Sequence, residues 1–362
     1  MTSRFVLLAF GYWRGRSRGT AWLLSIGFAG CLIVNTLVAL AVNRWSKSFF
    51  DALQIREPDG ILQCILQLAV LGAVTALAAI ATLQCRMRLQ VGWRLWLTEN
   101  LLDRWLKKDQ SRERAISHSI DNPEARIAED GRLSIELFVD LAGGVINIFL
   151  VSSSFIVVLW RVGGSFEIFG TTVPGFLVLA AMLYTGMTSL GMWILGRPLV
   201  SNVEEKAAAE GDFRYALSTA RAHLENSRAV DDQFRDRLEF RKRLTLLSQC
   251  WCRVVTGQTR IVFLTSANNL LAPAVPLVLG APKYLAGDMT LGDLMQAAAA
   301  FVQVQLSLNW LADNALSLAN WSASARRVAV LDLAMEDRED AGRNDAIVPF
   351  PRESFTNKRT LK

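Results

Sequence analysis

Residues 20–43 read TAWLLSIGFAGCLIVNTLVALAVN, a run with no charge between Arg18 and Arg44. Coiled as a helix at about 1.5 Å per residue, it outreaches the roughly 30 Å hydrocarbon core of a bilayer. A buried helix of a soluble core would be shorter and would show polar residues at every turn. The same kind of run recurs at 60–85 between Asp59 and Arg86, at 141–160, at 168–196, at 261–282 and at 294–312. Six spans are therefore predicted, and the fold class is all-α integral membrane.

Composition agrees, with 52% hydrophobic residues and a mean hydropathy of +0.27. Ala39-Leu40-Ala41 resembles a leader cleavage site, but the apolar run before it is too long for one, so the first span is expected to stay. Trp22 and Trp45 bracket that span and Trp160 closes the third, where amphipathic rings suit the interface. The net charge of +6 is spread over segments that flank the spans, where cations serve orientation and lipid headgroups, and no nucleic-acid partner is expected.

Cys31, Cys64, Cys85, Cys250 and Cys252 lie mostly in or beside the spans and show no CxxC spacing. Together with only His118 and His223, they offer no metal-ligand pattern, and no metal is expected. Nor is there a nucleophile–base constellation that marks an enzyme.

Lysine and arginine set the orientation. Arg4, Arg14, Arg16 and Arg18 precede span one, and the connections 86–136 and 197–260 are rich in bases. The other three connections hold only Arg44, Lys47, Arg56, Arg161 and Lys283. Both termini and both long connections are thus expected to be cytoplasmic. The first connection is predicted to be helical, with Trp93, Leu97, Leu101 and Trp105 striping one face at i+4. The second is predicted as one long solvated helix over 204–243, which has no proline and both signs of charge.

Several short blocks carry a family resemblance: Asn43-Arg44-Trp45 with Phe49-Phe50-Asp51-Ala52-Leu53-Gln54, then Trp93-Arg94-Leu95-Trp96-Leu97-Thr98, then Asp121-Asn122-Pro123-Glu124-Ala125-Arg126-Ile127-Ala128-Glu129-Asp130. Gly196-Arg197-Pro198-Leu199, Glu210-Gly211-Asp212-Phe213-Arg214 and Leu291-Gly292-Asp293-Leu294-Met295-Gln296 continue the pattern. The chain resembles, over roughly residues 10–335, the ABC half-transporter membrane domain of the YddA-type and peroxisomal fatty-acyl transporters, with the SbmA/BacA peptide transporters as more distant relatives. The resemblance implies an exporter-type domain at 20–330, between a segment 1–19 and a tail 331–362. It also implies a homodimer in a bacterial inner membrane.

No GxxxxGK[ST] loop occurs in the sequence, so ATP and its hydrolysis are expected from a separate nucleotide-binding subunit, with no cofactor on this chain. The implied cargo is peptide-like or otherwise bulky. A proton-coupled transporter of the SbmA/BacA kind, or a remnant half-transporter, are the other readings.

The resemblance implies that Asp121, Asn122, Pro123, Arg126, Glu129 and Asp130 couple to the ATPase, with Glu204, Glu205, Gly211, Asp212 and Arg214 as a second coupling group. Pro123 is expected to break the helix there, and Arg126 to pair with Glu129 or Asp130 at i+3 or i+4. For the substrate path, polar residues inside spans are the candidates, because hydrocarbon penalises them without a partner. Gln305, Asn309 and Asp313 share one face of span six, and Gln296 and Gln303 another. Gln63 and Gln67 pair on span two, and Asn268 and Asn269 sit midway along span five.

Overall fold

A computed structural model of the chain describes residues 2–15, 18–106, 123–168, 171–226 and 230–345. Asp121 and Asn122 lie outside the described residues. In chain order come α1 (Thr2–Arg14), α2 (Arg18–Ile55), α3 (Pro58–Leu106) and α4 (Pro123–Gly163). A hairpin follows, β1 (Ser165–Ile168) and β2 (Thr171–Pro174), then α5 (Phe176–Asn226), α6 (Val230–Ala286), α7 (Leu291–Asp313) and α8 (Ala315–Asp345).

Helices α2 to α6 are each long and apolar enough to cross a membrane. With 23 residues, α7 also has the length, but Gln296, Gln303 and Gln305 dilute its apolar character. Six spans are compatible with this arrangement.

Two expectations need correction. Span four begins at Phe176, not at residue 168, because Ile168 and Pro174 belong to the antiparallel β1–β2 hairpin, where they pair with Thr171 and Ser165. Apolar β-branched residues read alike in a span and in a strand; the hairpin is closed by Gly164 and Gly175, both at positive φ, with the Gly175 amide donating to the Gly164 carbonyl at 2.9 Å. The connection 204–243 is two antiparallel helices rather than one. Helix α5 ends at Asn226 and α6 starts at Val230, and the Phe213 and Phe240 rings meet edge-on across the pair.

The chain divides into two compact units, Met1–Val34 with Ala76–Ile146 and Asn314–Lys362, and Asn35–Thr75 with Asn147–Asp313. In the first unit, Trp93, Leu97 and Leu101 are buried as the i+4 stripe predicts. Helix α1, which the sequence reading left as a plain segment, packs there through buried Phe5, Ala9 and Tyr12, with Tyr12 stacked on Trp93 at 6.3 Å. Helix α8 continues well past residue 330, with Leu331, Asp332 and Met335 buried in the same unit.

The core of the second unit joins α4, α5 and α7 through Phe155, Leu159, Leu177, Ala181, Ala297, Ala300, Phe301 and Val304. Small residues on α7 let the helices approach closely, as membrane packing without a hydrophobic drive requires.

Candidate functional site

In the first unit, the described residues resume at Pro123. It takes the first helical position of α4, where its missing N–H costs nothing. The next turn, Arg126–Asp130, is π-helical, and regular α-helix resumes at Gly131. This wider turn buries Ile127 and Asp130 while Glu124 and Glu129 stay exposed.

The buried carboxylate reaches across to another helix. Both Asp130 oxygens accept from Arg327 of α8, at 2.7 and 2.8 Å. Arg327 thus reaches Asp130 from another helix, and its bidentate guanidinium offers two charge-assisted bonds in one plane. The hydrogen bonds it donates to Asp130 are the main reason that Arg327 is held charged beyond its ordinary range. A second pair, Arg104 to Asp332 at 2.7 Å, ties α3 to α8 within the same unit.

In the second unit, Glu205 of the other coupling group pairs with Arg253 at 2.8 Å, and the Asp212 carbonyl accepts from Arg243 at 3.0 Å. Glu204, Gly211 and Arg214 are exposed. Both contacts lie across the α5–α6 hairpin at exposed positions, so each contributes little. The two coupling groups belong to different units.

The polar residues of the spans divide by surroundings. The Tyr184 hydroxyl donates to Asn268 at 2.9 Å and the Ser189 hydroxyl to Asn309 at 3.0 Å, bonds that fasten α5 to α6 and α7. Gln296 is buried, and its backbone carbonyl accepts from the Asn43 amide at 3.1 Å. Gln305 is 1% exposed, and its amide nitrogen has no hydrogen-bond partner among the described residues. By contrast Gln303, Asn269 and Asp313 are exposed, as are Gln63 and Gln67, which line a groove between α2 and α3.

Sequence reasoning missed a clamp between α2 and α7. Lys47, Asp51 and Gln54, at i, i+4 and i+7 on one face of α2, all reach the first turn of α7. Lys47 pairs with Asp293 at 2.6 Å, while Asp51 and Gln54 accept from the Gly292 and Leu291 amides, each at 3.0 Å. Thr290 and Asp293 complete a capping box: the Thr290 hydroxyl accepts from the Asp293 amide and Asp293 accepts from the Thr290 amide, at 3.0 and 3.3 Å. The i, i+4, i+7 spacing of three polar residues past the end of an apolar run was the available signal.

Burial alone would raise the Asp293 carboxyl, but Lys47 and the Thr290 hydroxyl and amide together outweigh it and hold it below the usual carboxylate range. A carboxyl lowered in the fold adds stability above its unfolded value, and that stability is lost as pH falls through the folded one. Thermal stability is therefore expected to drop below about pH 4, and Asp293→Asn to flatten that acid limb. An unchanged acid limb in Asp293→Asn would remove the clamp from the account.

Comparison with known proteins settles the family: the sequence signature of the ABC transporter transmembrane region 2 matches residues 12–285. The chain belongs to that family. Among its relatives is the inner membrane ABC transporter ATP-binding protein YddA of Escherichia coli, 25% identical over 317 residues, covering 86% of this chain and 56% of the relative. Another is an ABC transporter ATP-binding protein of Haemophilus influenzae, 24% identical over 301 residues, covering 81% of this chain and 50% of the relative. ABC transporter D family member 2, chloroplastic, of Arabidopsis thaliana is 23% identical over 331 residues, with 91% and 44% covered.

The chain spans about half the length of the curated relatives it matches. The matched part is the ABC transmembrane region, and the protein is a multi-pass membrane protein of this family.

Proposed function

We propose that this chain is the membrane-embedded half of an ABC transporter that pairs with a second copy of itself and is driven by ATP hydrolysis on a separate nucleotide-binding subunit. The observation that carries the reading is the tip formed by Pro123 to Asp130. Asp130 and Ile127 hold it inward while Glu124 and Glu129 face outward, so a push on the acidic side is delivered to α4 and, through Arg327, to α8. Exposed Glu204 and Arg214 on the α5–α6 hairpin supply a second contact.

The basic long connections favour a cytoplasmic tip and termini, in a bacterial inner membrane. Cargo is peptide-like or otherwise bulky and passes exposed Asn269, Gln303 and Asp313, with Gln296 and Gln305 behind them. Asn268 and Asn309 hold helices together along that path.

The test is capture of an ATP-hydrolysing subunit by the tagged full chain from its native membranes, followed by ATP turnover in vesicles. Arg126→Glu, which adds an acid beside Glu129, is expected to reduce both at least fivefold while expression and the sizing profile hold. Arg94→Glu, exposed in the same unit, is the charge control. No captured ATPase, or an equal loss in the two variants, would remove the coupling role from this tip.

A further inference from the structure

Between α2 and α3 lies an open groove of about 600 Å³ whose lining includes Arg44, Ser48, Gln63, Gln67, Leu66 and Val70. We infer that this groove is a binding site for an anionic glycerophospholipid, with its phosphate on Arg44 and an acyl chain along Leu66 and Val70.

Three observations lead there. The first is depth. Arg44 is the first charge after the apolar run 20–43, and Gln63 stands one turn into the apolar run 60–85, so the polar end of the groove lies where hydrocarbon gives way to headgroups. Trp45 marks the same level, its ring N–H donating to the Cys64 carbonyl at 2.8 Å and its face stacked on Phe49 at 5.4 Å. That hydrogen bond also holds the two helices at the spacing that forms the groove.

The second is charge. Arg44 is exposed and pairs with no carboxylate among the described residues, unlike nearby Lys47, which is held by Asp293. The groove lining carries one guanidinium and no acidic side chain. A zwitterionic headgroup would bring an ammonium with no carboxylate in the lining to balance it, whereas a headgroup of net charge −1 is matched by Arg44. Ser48 and the amides of Gln63 and Gln67 offer bonds to glycerol or headgroup hydroxyls.

The third is shape. Leu66 and Val70, at i and i+4 on α3, are 64% and 63% exposed and continue the groove away from Arg44 into the apolar run. A polar head joined to an extended chain has the same division along its length. This assigns Gln63 and Gln67 to lipid rather than to the substrate path.

The experiment uses the full chain exchanged into mixed micelles of phosphatidylglycerol and phosphatidylethanolamine, with bound lipid measured by native mass spectrometry. Wild type is expected to retain one phosphatidylglycerol per chain, with at least a fivefold preference over phosphatidylethanolamine. Arg44→Gln is expected to abolish that preference, and Arg161→Gln, an exposed arginine at the end of α4, to keep it. Should Arg44→Gln fail to fold, Gln63→Leu with Gln67→Leu leaves the charge in place and is expected to weaken retention severalfold.

No preference in wild type, equal retention in Arg44→Gln, or an equal loss in Arg161→Gln overturns the proposal. So does efficient disulfide formation between Val70→Cys residues of two copies in lipid-saturated membranes, which would make the groove an interface.

Discussion

Arg327→Ala is expected to destabilise the protein by about 2 kcal/mol, because it strands the Asp130 carboxylate in a buried turn. Asp130 is 8% exposed and loses both of its short bonds, whereas Arg327 keeps 48% of its side-chain surface in contact with the surroundings. That exposure puts the effect at the low end of the range for broken buried pairs. Arg327→Lys keeps the charge but cannot make both bonds in one plane, so an intermediate loss is expected. Thermal unfolding in detergent, with Asp130→Ala and the double variant completing a cycle, separates the pair from its surroundings. If each single change stays within about 0.5 kcal/mol, the contact is incidental and the π turn holds without it.

The other large effect belongs to Gly292. A Cβ at this position would collide with the Lys47 carbonyl oxygen and the Asp51 carboxylate. The first of these is helical backbone within α2 and cannot swing aside, so Gly292→Ala must push α7 away from α2. The expected loss is about 1–3 kcal/mol, the usual cost of overpacking a tight contact. Gly30→Ala makes the contrast, since a Cβ there meets nothing within 4 Å and the helix gains about 0.5–1 kcal/mol from the stiffer residue. Opposite signs in the two variants, read from thermal inactivation under one condition, are the expected outcome. A Gly292→Ala protein as stable as wild type would mean that the α2–α7 contact is loose.

Most of the fold is legible because bilayer thickness and backbone hydrogen bonding leave a chain little choice: an apolar run that long can only be a helix. The Trp93, Leu97, Leu101 stripe is readable for the same kind of reason, since a 3.6-residue period names its own buried face. Helix α1 carried a similar signal in Phe5, Ala9 and Tyr12, but a short segment before a strong apolar run draws little notice. The β1–β2 hairpin was hidden because Thr171-Thr172-Val173 serves a strand or a span equally well.

The site residues were legible as types and not as partners. Asp130 has a local candidate at i−4, yet the bidentate partner that fixes it lies 197 residues on, and nothing in the spacing points to it. The same holds for Lys47 and Asp293, 246 positions apart by number, whose meeting depends on α2 and α7 lying side by side. Where polar residues of a span are concerned, the sequence cannot separate a helix-fastening amide such as Asn268 from an exposed one such as Asn269, because adjacent positions on a helix point about 100° apart.

The clamp on α7 also alters the electric field at that helix end. An uncapped helix start presents free amides and roughly half a positive elementary charge, which draws anions. Here Asp51, Gln54 and the Thr290 hydroxyl accept from the amides of residues 291 to 293, and the Lys47 ammonium is balanced by Asp293. The start of α7 is therefore electrostatically quiet: an anion passing this end of the helix is neither drawn in nor held, whichever way it travels.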